Sequence, residues 1–117
     1  MSISIVERLR HIEQEARFLM DAQTEHSRDE AEADRYVRRA IIRSLEVIGE
    51  AAKNLPDEFL NAHPEIEWRK VGSMRDRLIH GYFGVHWETV WNVLTDHVPT
   101  LLKVVHTAIE DMSDQAS

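Results

Sequence analysis

The spacing of the apolar residues most constrains the fold of this chain, because they recur at alternating steps of three and four. That spacing is the period of an amphipathic α-helix, and no segment of useful length alternates with the period of two typical of a strand. With only four glycines and three prolines in 117 residues, the chain has few turn signals for a β fold. We therefore expect an all-α bundle of two long antiparallel helices with two to four shorter ones. The first stripe is Ile5, Leu9, Ile12, Ala16 and Leu19.

A second stripe predicts the other long helix. It begins at about Asp29 or Ala33 and ends at Asn54, after a polar, highly charged connection over residues 23–34. Pro56 ends this helix, because proline lacks the N–H that a helix interior needs, and it fits the first position of the next one.

Shorter helices follow. The pattern predicts one over residues 56–62 and another from about Glu65 to His80. Gly81 stands where a left-handed C-cap is expected, and residues 82–84 would form a tight connection.

The last apolar stripe runs from Trp87 to Met112 and contains Pro99. Proline here either kinks one long helix or starts a second one, and the pattern is compatible with both. We expect residues 1–117 to form a single domain with a frayed tail over 113–117.

The chain carries neither a signal-peptide pattern near Met1 nor an apolar run that could span a bilayer, so we expect a cytoplasmic protein. It has no cysteine, which excludes disulfides and thiol catalysis. Its seven histidines form no HExxH motif and no i, i+4 pair, so we expect neither a metal site nor a cofactor.

The formal net charge of −7 argues against nucleic acid as a partner, but the charge is unevenly distributed. Between Arg69 and Arg77, four basic residues and one acid give +3, which leaves −10 for the rest of the chain. A local excess of basic charge therefore lies within about three turns of the helix predicted to end at His80.

Arg75 lies about 40° from Val71 around that helix, inside the apolar sector. One interpretation is structural: the aliphatic stem packs and the guanidinium pairs with Asp76 or another acid. The other is functional, because arginine grips phosphate oxygens and a nearby histidine can move a proton at neutral pH. His80 lies about 140° from Arg75 on a regular helix, so either the helix end turns it or a two-fold dimer joins two copies of the pair.

Residues 75–82, Arg-Asp-Arg-Leu-Ile-His-Gly-Tyr, resemble the Arg-x4-His-x-Tyr motif of HEPN-domain proteins. More narrowly, the chain resembles the HepT-like toxins of HEPN/MNT toxin–antitoxin modules. Residues 43–53, 63–69 and 80–85 also match that family's pattern, so the likeness covers essentially the whole chain.

The resemblance implies a HEPN helical bundle, a homodimer with a composite site, and metal-independent cleavage of RNA. Arg75 and His80 would be catalytic, with Asp76 orienting one of them. A minimal nucleotidyltransferase antitoxin would silence the toxin by attaching AMP to Tyr82. The neighbouring basic residues would bind RNA: Arg69, Lys70 and Arg77.

Two other functions remain open. The bundle could be a non-catalytic subunit that binds the nucleotidyltransferase and presents a substrate to it, or a helical dimerisation protein. For Tyr82, the alternative to modification is a ring that packs and a hydroxyl that forms a hydrogen bond.

Overall fold

The computed structural model describes residues 4–80 and 86–115, and these form seven α-helices and no strand. The predicted all-α class is confirmed. Three helices, α1, α3 and α7, are long, with 21, 19 and 18 residues. The C-cap expected at Gly81 and the connection over 82–84 lie outside the described residues. In chain order the helices are α1 (Ile5–Glu25), α2 (Arg28–Ala33), α3 (Arg35–Lys53), α4 (Asp57–Ala62), α5 (Trp68–His80), α6 (Trp87–Asp96) and α7 (Val98–Gln115).

Of the two predicted starts of the second long helix, Asp29 is wrong and Ala33 is two residues early, because two caps divide the charged connection. Ser27 begins α2 with a capping box: its hydroxyl accepts from the Glu30 N–H and its own N–H donates to the Glu30 carboxylate. Asp34 ends α2 and caps α3, accepting from the N–H groups of Tyr36 and Val37. The long helix therefore begins at Arg35.

Two of the three prolines mark helix starts. Pro56 is the N-cap of α4, one position before its predicted place. Pro99 lies in the first turn of α7, which is separate from α6, so this proline starts a helix. The last helix continues through Gln115, into the segment expected to fray.

The fifth helix begins at Trp68 rather than at Glu65. A turn precedes it, and the Trp68 indole donates a hydrogen bond of 2.9 Å to the carbonyl of His63. The Trp68 ring also packs edge-on against Phe59 of α4. These contacts fix the entry of α5 into the bundle.

A single core joins all seven helices, with α1 packed against α3 and α7. The predicted stripe of α1 is buried from Leu9 to Leu19, whereas Ile5, at the first position of the helix, is 38% exposed. The fifth helix packs chiefly against α3, so Val71 and Met74 remain only partly buried. Among the described residues, no helix combines the length and apolar character needed to cross a membrane.

Candidate functional site

The candidate site lies where α3 and α5 approach each other closely at Gly49. A Cβ added at Gly49 would collide with the Cβ of Arg75 and lie 3.2 Å from the carbonyl oxygen of Val71. The absence of a side chain at Gly49 lets the stem of Arg75 pack directly on the backbone of α3.

The Arg75 side chain is 26% exposed, and its guanidinium is held by two carboxylates. Nη2 lies 2.7 Å from Oε2 of Glu50, and Nη1 donates to Oδ1 of Asp76 at 3.1 Å. Nε is buried and has no hydrogen-bond partner among the described residues. The structural interpretation of Arg75, a packed stem with a paired head, therefore describes its arrangement in this structure.

A lysine of α3 extends this network. Nζ of Lys53 donates to both oxygens of Asp76, at 2.9 and 3.0 Å. The hydrogen bond from Lys53, and then that from Arg75, holds the pKa of the Asp76 carboxyl below its ordinary value. Asp76 therefore stays ionised at neutral pH, and the chain of alternating charges runs from Lys53 through Asp76 and Arg75 to Glu50.

His80 is the last residue of α5, which remains α-helical from Arg75 to this point. Positions 75 and 80 are therefore about 140° apart around the helix axis. The helix does not turn position 80 towards position 75. Tyr82 lies outside the described residues.

The predicted RNA-binding residues do not converge on Arg75 within one chain. Lys70 and Arg77 line a cavity of about 670 Å³ that is also bordered by residues of α3, α6 and α7. Lys70 pairs with Glu67 at 2.6 Å, while Arg69 and Arg77 are exposed. The basic charge of α5 is thus spread around the helix.

A second histidine, His106 of α7, is paired with carboxylates away from this site. Its ring nitrogens lie 2.6 Å from a Glu13 oxygen and 2.9 Å from a Glu110 oxygen, and the bond to Glu13 raises the pKa of His106. In the described part of the chain, no three His, Asp or Glu side chains are grouped to hold a metal ion.

Sequence reasoning missed two members of the network, Glu50 and Lys53. Both belong to the segment that carries the family resemblance, and they are three residues apart on α3. No sequence pattern identifies them, because their pairing with Arg75 and Asp76 depends on how α3 and α5 pack.

The fold and the sequence motif together define the class. An all-α bundle whose sequence carries an Arg-x4-His-x-Tyr motif, with its arginine and histidine in α5, is of the HEPN type. The chain belongs to the HepT-like family, since the family model described as "Ribonuclease HepT-like" matches residues 12–108.

Named relatives support this assignment. A "Putative RNase" of Methanocaldococcus jannaschii is 39% identical over 97 residues, which cover 83% of this chain and 80% of that protein. A "Putative RNase" of Caldanaerobacter subterraneus is 41% identical over 102 residues, covering 87% and 91%. A "Probable ribonuclease HepT" of Thermococcus cleftensis is 48% identical over 68 residues, covering 58% and 62%. No solved structure resembles the chain closely enough to count as a match.

Proposed function

We propose that this protein is a metal-independent endoribonuclease that cleaves cellular RNA, either transfer RNA or messenger RNA, in the cytoplasm. Arg75 contacts the scissile phosphate and stabilises the charge that develops on it. His80 exchanges a proton with the 2′-hydroxyl nucleophile or the leaving oxygen, and Asp76 orients Arg75. The RNA supplies its own nucleophile, so the reaction requires no metal or cofactor.

One observation carries the proposal: the half-buried guanidinium of Arg75, held in place by two carboxylates, in a chain of the HepT-like family. Because its stem packs on α3 at Gly49 and Asp76 orients its head, this arginine is preorganised, so that little side-chain freedom remains to be lost when phosphate binds.

The separation of positions 75 and 80 supports a homodimer as the active form. Two copies of α5 related by a two-fold axis can place the arginine of one protomer beside the histidine of its partner. They would also bring together two sets of the RNA-binding residues Arg69, Lys70 and Arg77.

The direct test measures RNA cleavage in excess chelator for the wild type and Arg75→Ala. We expect the variant to lose at least about 100-fold in rate, comparable with the removal of one transition-state donor elsewhere. Arg39→Ala is the control, because Arg39 is an exposed arginine of α3 away from the motif. An equal loss of cleavage rate in Arg75→Ala and Arg39→Ala would contradict the proposal. So would a wild-type protein that does not cleave RNA in excess chelator.

We further propose that the enzyme is the toxin of a toxin–antitoxin pair and that a minimal nucleotidyltransferase attaches AMP to Tyr82. Tyr82 follows Arg75 and Arg77 closely in the sequence. A phosphate attached to it would neutralise basic charge and obstruct RNA binding. Mass spectrometry after incubation with the cognate transferase and ATP should show AMP adducts that Tyr82→Phe abolishes. Undiminished adducts on that variant would place the modification elsewhere.

A second candidate is a non-catalytic subunit that presents a substrate to the transferase. It is favoured by the pairing of both terminal nitrogens of Arg75 with carboxylates, the arrangement of a structural arginine. This candidate predicts tight binding of the transferase and no RNA cleavage by the purified protein.

A further inference from the structure

Every nitrogen of the Arg75 guanidinium is engaged or covered. Nη2 pairs with Glu50, Nη1 pairs with Asp76, and Nε is buried without a partner. Each terminal nitrogen carries two N–H donors, and the structure pairs each nitrogen with one carboxylate. Phosphate oxygens bind the same kind of donor, so a phosphodiester that approaches Arg75 competes with two carboxylates for its charge.

The two acids differ in how firmly they are held. Asp76 is the chain neighbour of Arg75, and Lys53 binds both of its carboxylate oxygens. Glu50 reaches Arg75 from the other helix, its side chain is 56% exposed, and it has no second ion pair in the described part of the chain. Glu50 can swing into solvent without breaking another interaction, whereas Asp76 cannot.

We propose that Glu50 is an intramolecular competitor of RNA phosphate: its carboxylate occupies the phosphate position on Arg75 in the free protein and is displaced when RNA binds. This inference rests on the proposed function, because it assumes that RNA phosphate is the ligand of Arg75. Glu50 thereby compensates a partly buried cation in the free protein and weakens the binding of RNA.

Competition between Glu50 and phosphate predicts the direction in which RNA affinity changes when Glu50 is substituted. Glu50→Gln keeps the shape of the side chain but removes its charge, so the pair with Arg75 weakens and phosphate meets less competition. An ion pair of this exposure contributes about 1 kcal/mol, which corresponds to roughly fivefold tighter RNA binding in the variant. Turnover of bound RNA should not change, because Glu50 has already left Arg75 in the complex.

The probe is a 2′-O-methyl RNA oligonucleotide, which lacks the nucleophile and reports binding without cleavage. Glu46→Gln is the matched control, since it removes the same charge one turn earlier on α3, where Glu46 pairs with Arg43. We expect Glu50→Gln to bind about fivefold tighter than the wild type, and Glu46→Gln to change affinity less than about twofold. On cleavable RNA, Glu50→Gln should lower KM and leave kcat unchanged.

A double-mutant cycle with Arg75→Ala separates direct competition from general electrostatics. In that background the gain from Glu50→Gln should shrink to that of Glu46→Gln. Equal affinities of the two glutamine variants, or a fall in kcat with unchanged binding, would overturn the inference. If the two glutamine variants bind RNA equally but cleavage still depends on Arg75, the inference about Glu50 fails and the proposed ribonuclease function stands. If Glu50→Gln binds RNA more tightly but the protein does not cleave RNA, only the catalytic proposal fails.

Discussion

At the scale of single residues, the site depends on Arg75, whose charge is balanced by Glu50 and Asp76 while its stem packs on Gly49. Leaving a buried donor such as Nε unsatisfied costs about 1–3 kcal/mol, so this arrangement is not optimised for stability alone. Such a cost is common where a side chain is held for a function.

His106 gives a pH dependence that can be assigned to one residue. Glu13 raises its pKa, so its stabilising effect is fully present below the ordinary histidine pKa of about 6.5 and is lost as pH rises through the raised value. His106→Gln should therefore lower the free energy of unfolding more at pH 6 than at pH 8.5, as measured by urea titration. A difference that grows with pH would contradict this assignment.

At the scale of helices, the contact between α3 and α5 positions the site, and two glycines lie in it. A Cβ at Gly49 meets the backbone and stem of α5, whereas a Cβ at Gly72 meets the flexible side chain of Lys53 at 3.1 Å. The first position is therefore closed to larger residues, while the second can adjust.

Overpacking in Gly49→Ala costs about 1–3 kcal/mol, and alanine gains roughly 1 kcal/mol over glycine in a helix, so the variant should lose up to about 2 kcal/mol of stability. Gly72→Ala is the matched control and should be neutral or slightly stabilising, because Lys53 can move. Urea unfolding of both variants gives the comparison. A Gly49→Ala variant as stable as Gly72→Ala would refute the close approach.

The helices themselves were largely predictable, because burying one face imposes a helical period on the sequence. The break at Asp34 was not, since a capping aspartate resembles any other acid in a charged stretch. The ion pair of Arg75 with Glu50 could not be predicted either, because it depends on how two helices distant in sequence pack. Whether Pro99 kinks one helix or starts a new one likewise could not be determined from the sequence, since proline is compatible with both.

At the scale of the whole molecule, one chain holds the helical bundle but places positions 75 and 80 on different sides of α5. They lie about 140° apart around the helix axis, and Lys70 and Arg77 border a cavity whose lining does not include Arg75. The net charge of −7 conceals a local excess of basic residues on α5, which carries four basic residues and one acid. We therefore propose that the dimer, rather than the single chain, is the functional unit.

The most direct measurement of the central claim is the cleavage of RNA by the purified protein in excess chelator, with chemical analysis of the fragment ends. We predict 2′,3′-cyclic phosphate ends for the wild type. We predict no cleavage for His80→Ala with its helical content and melting temperature near those of the wild type. Retained cleavage in that variant, or a wild type that cleaves only when metal is added, would contradict the account.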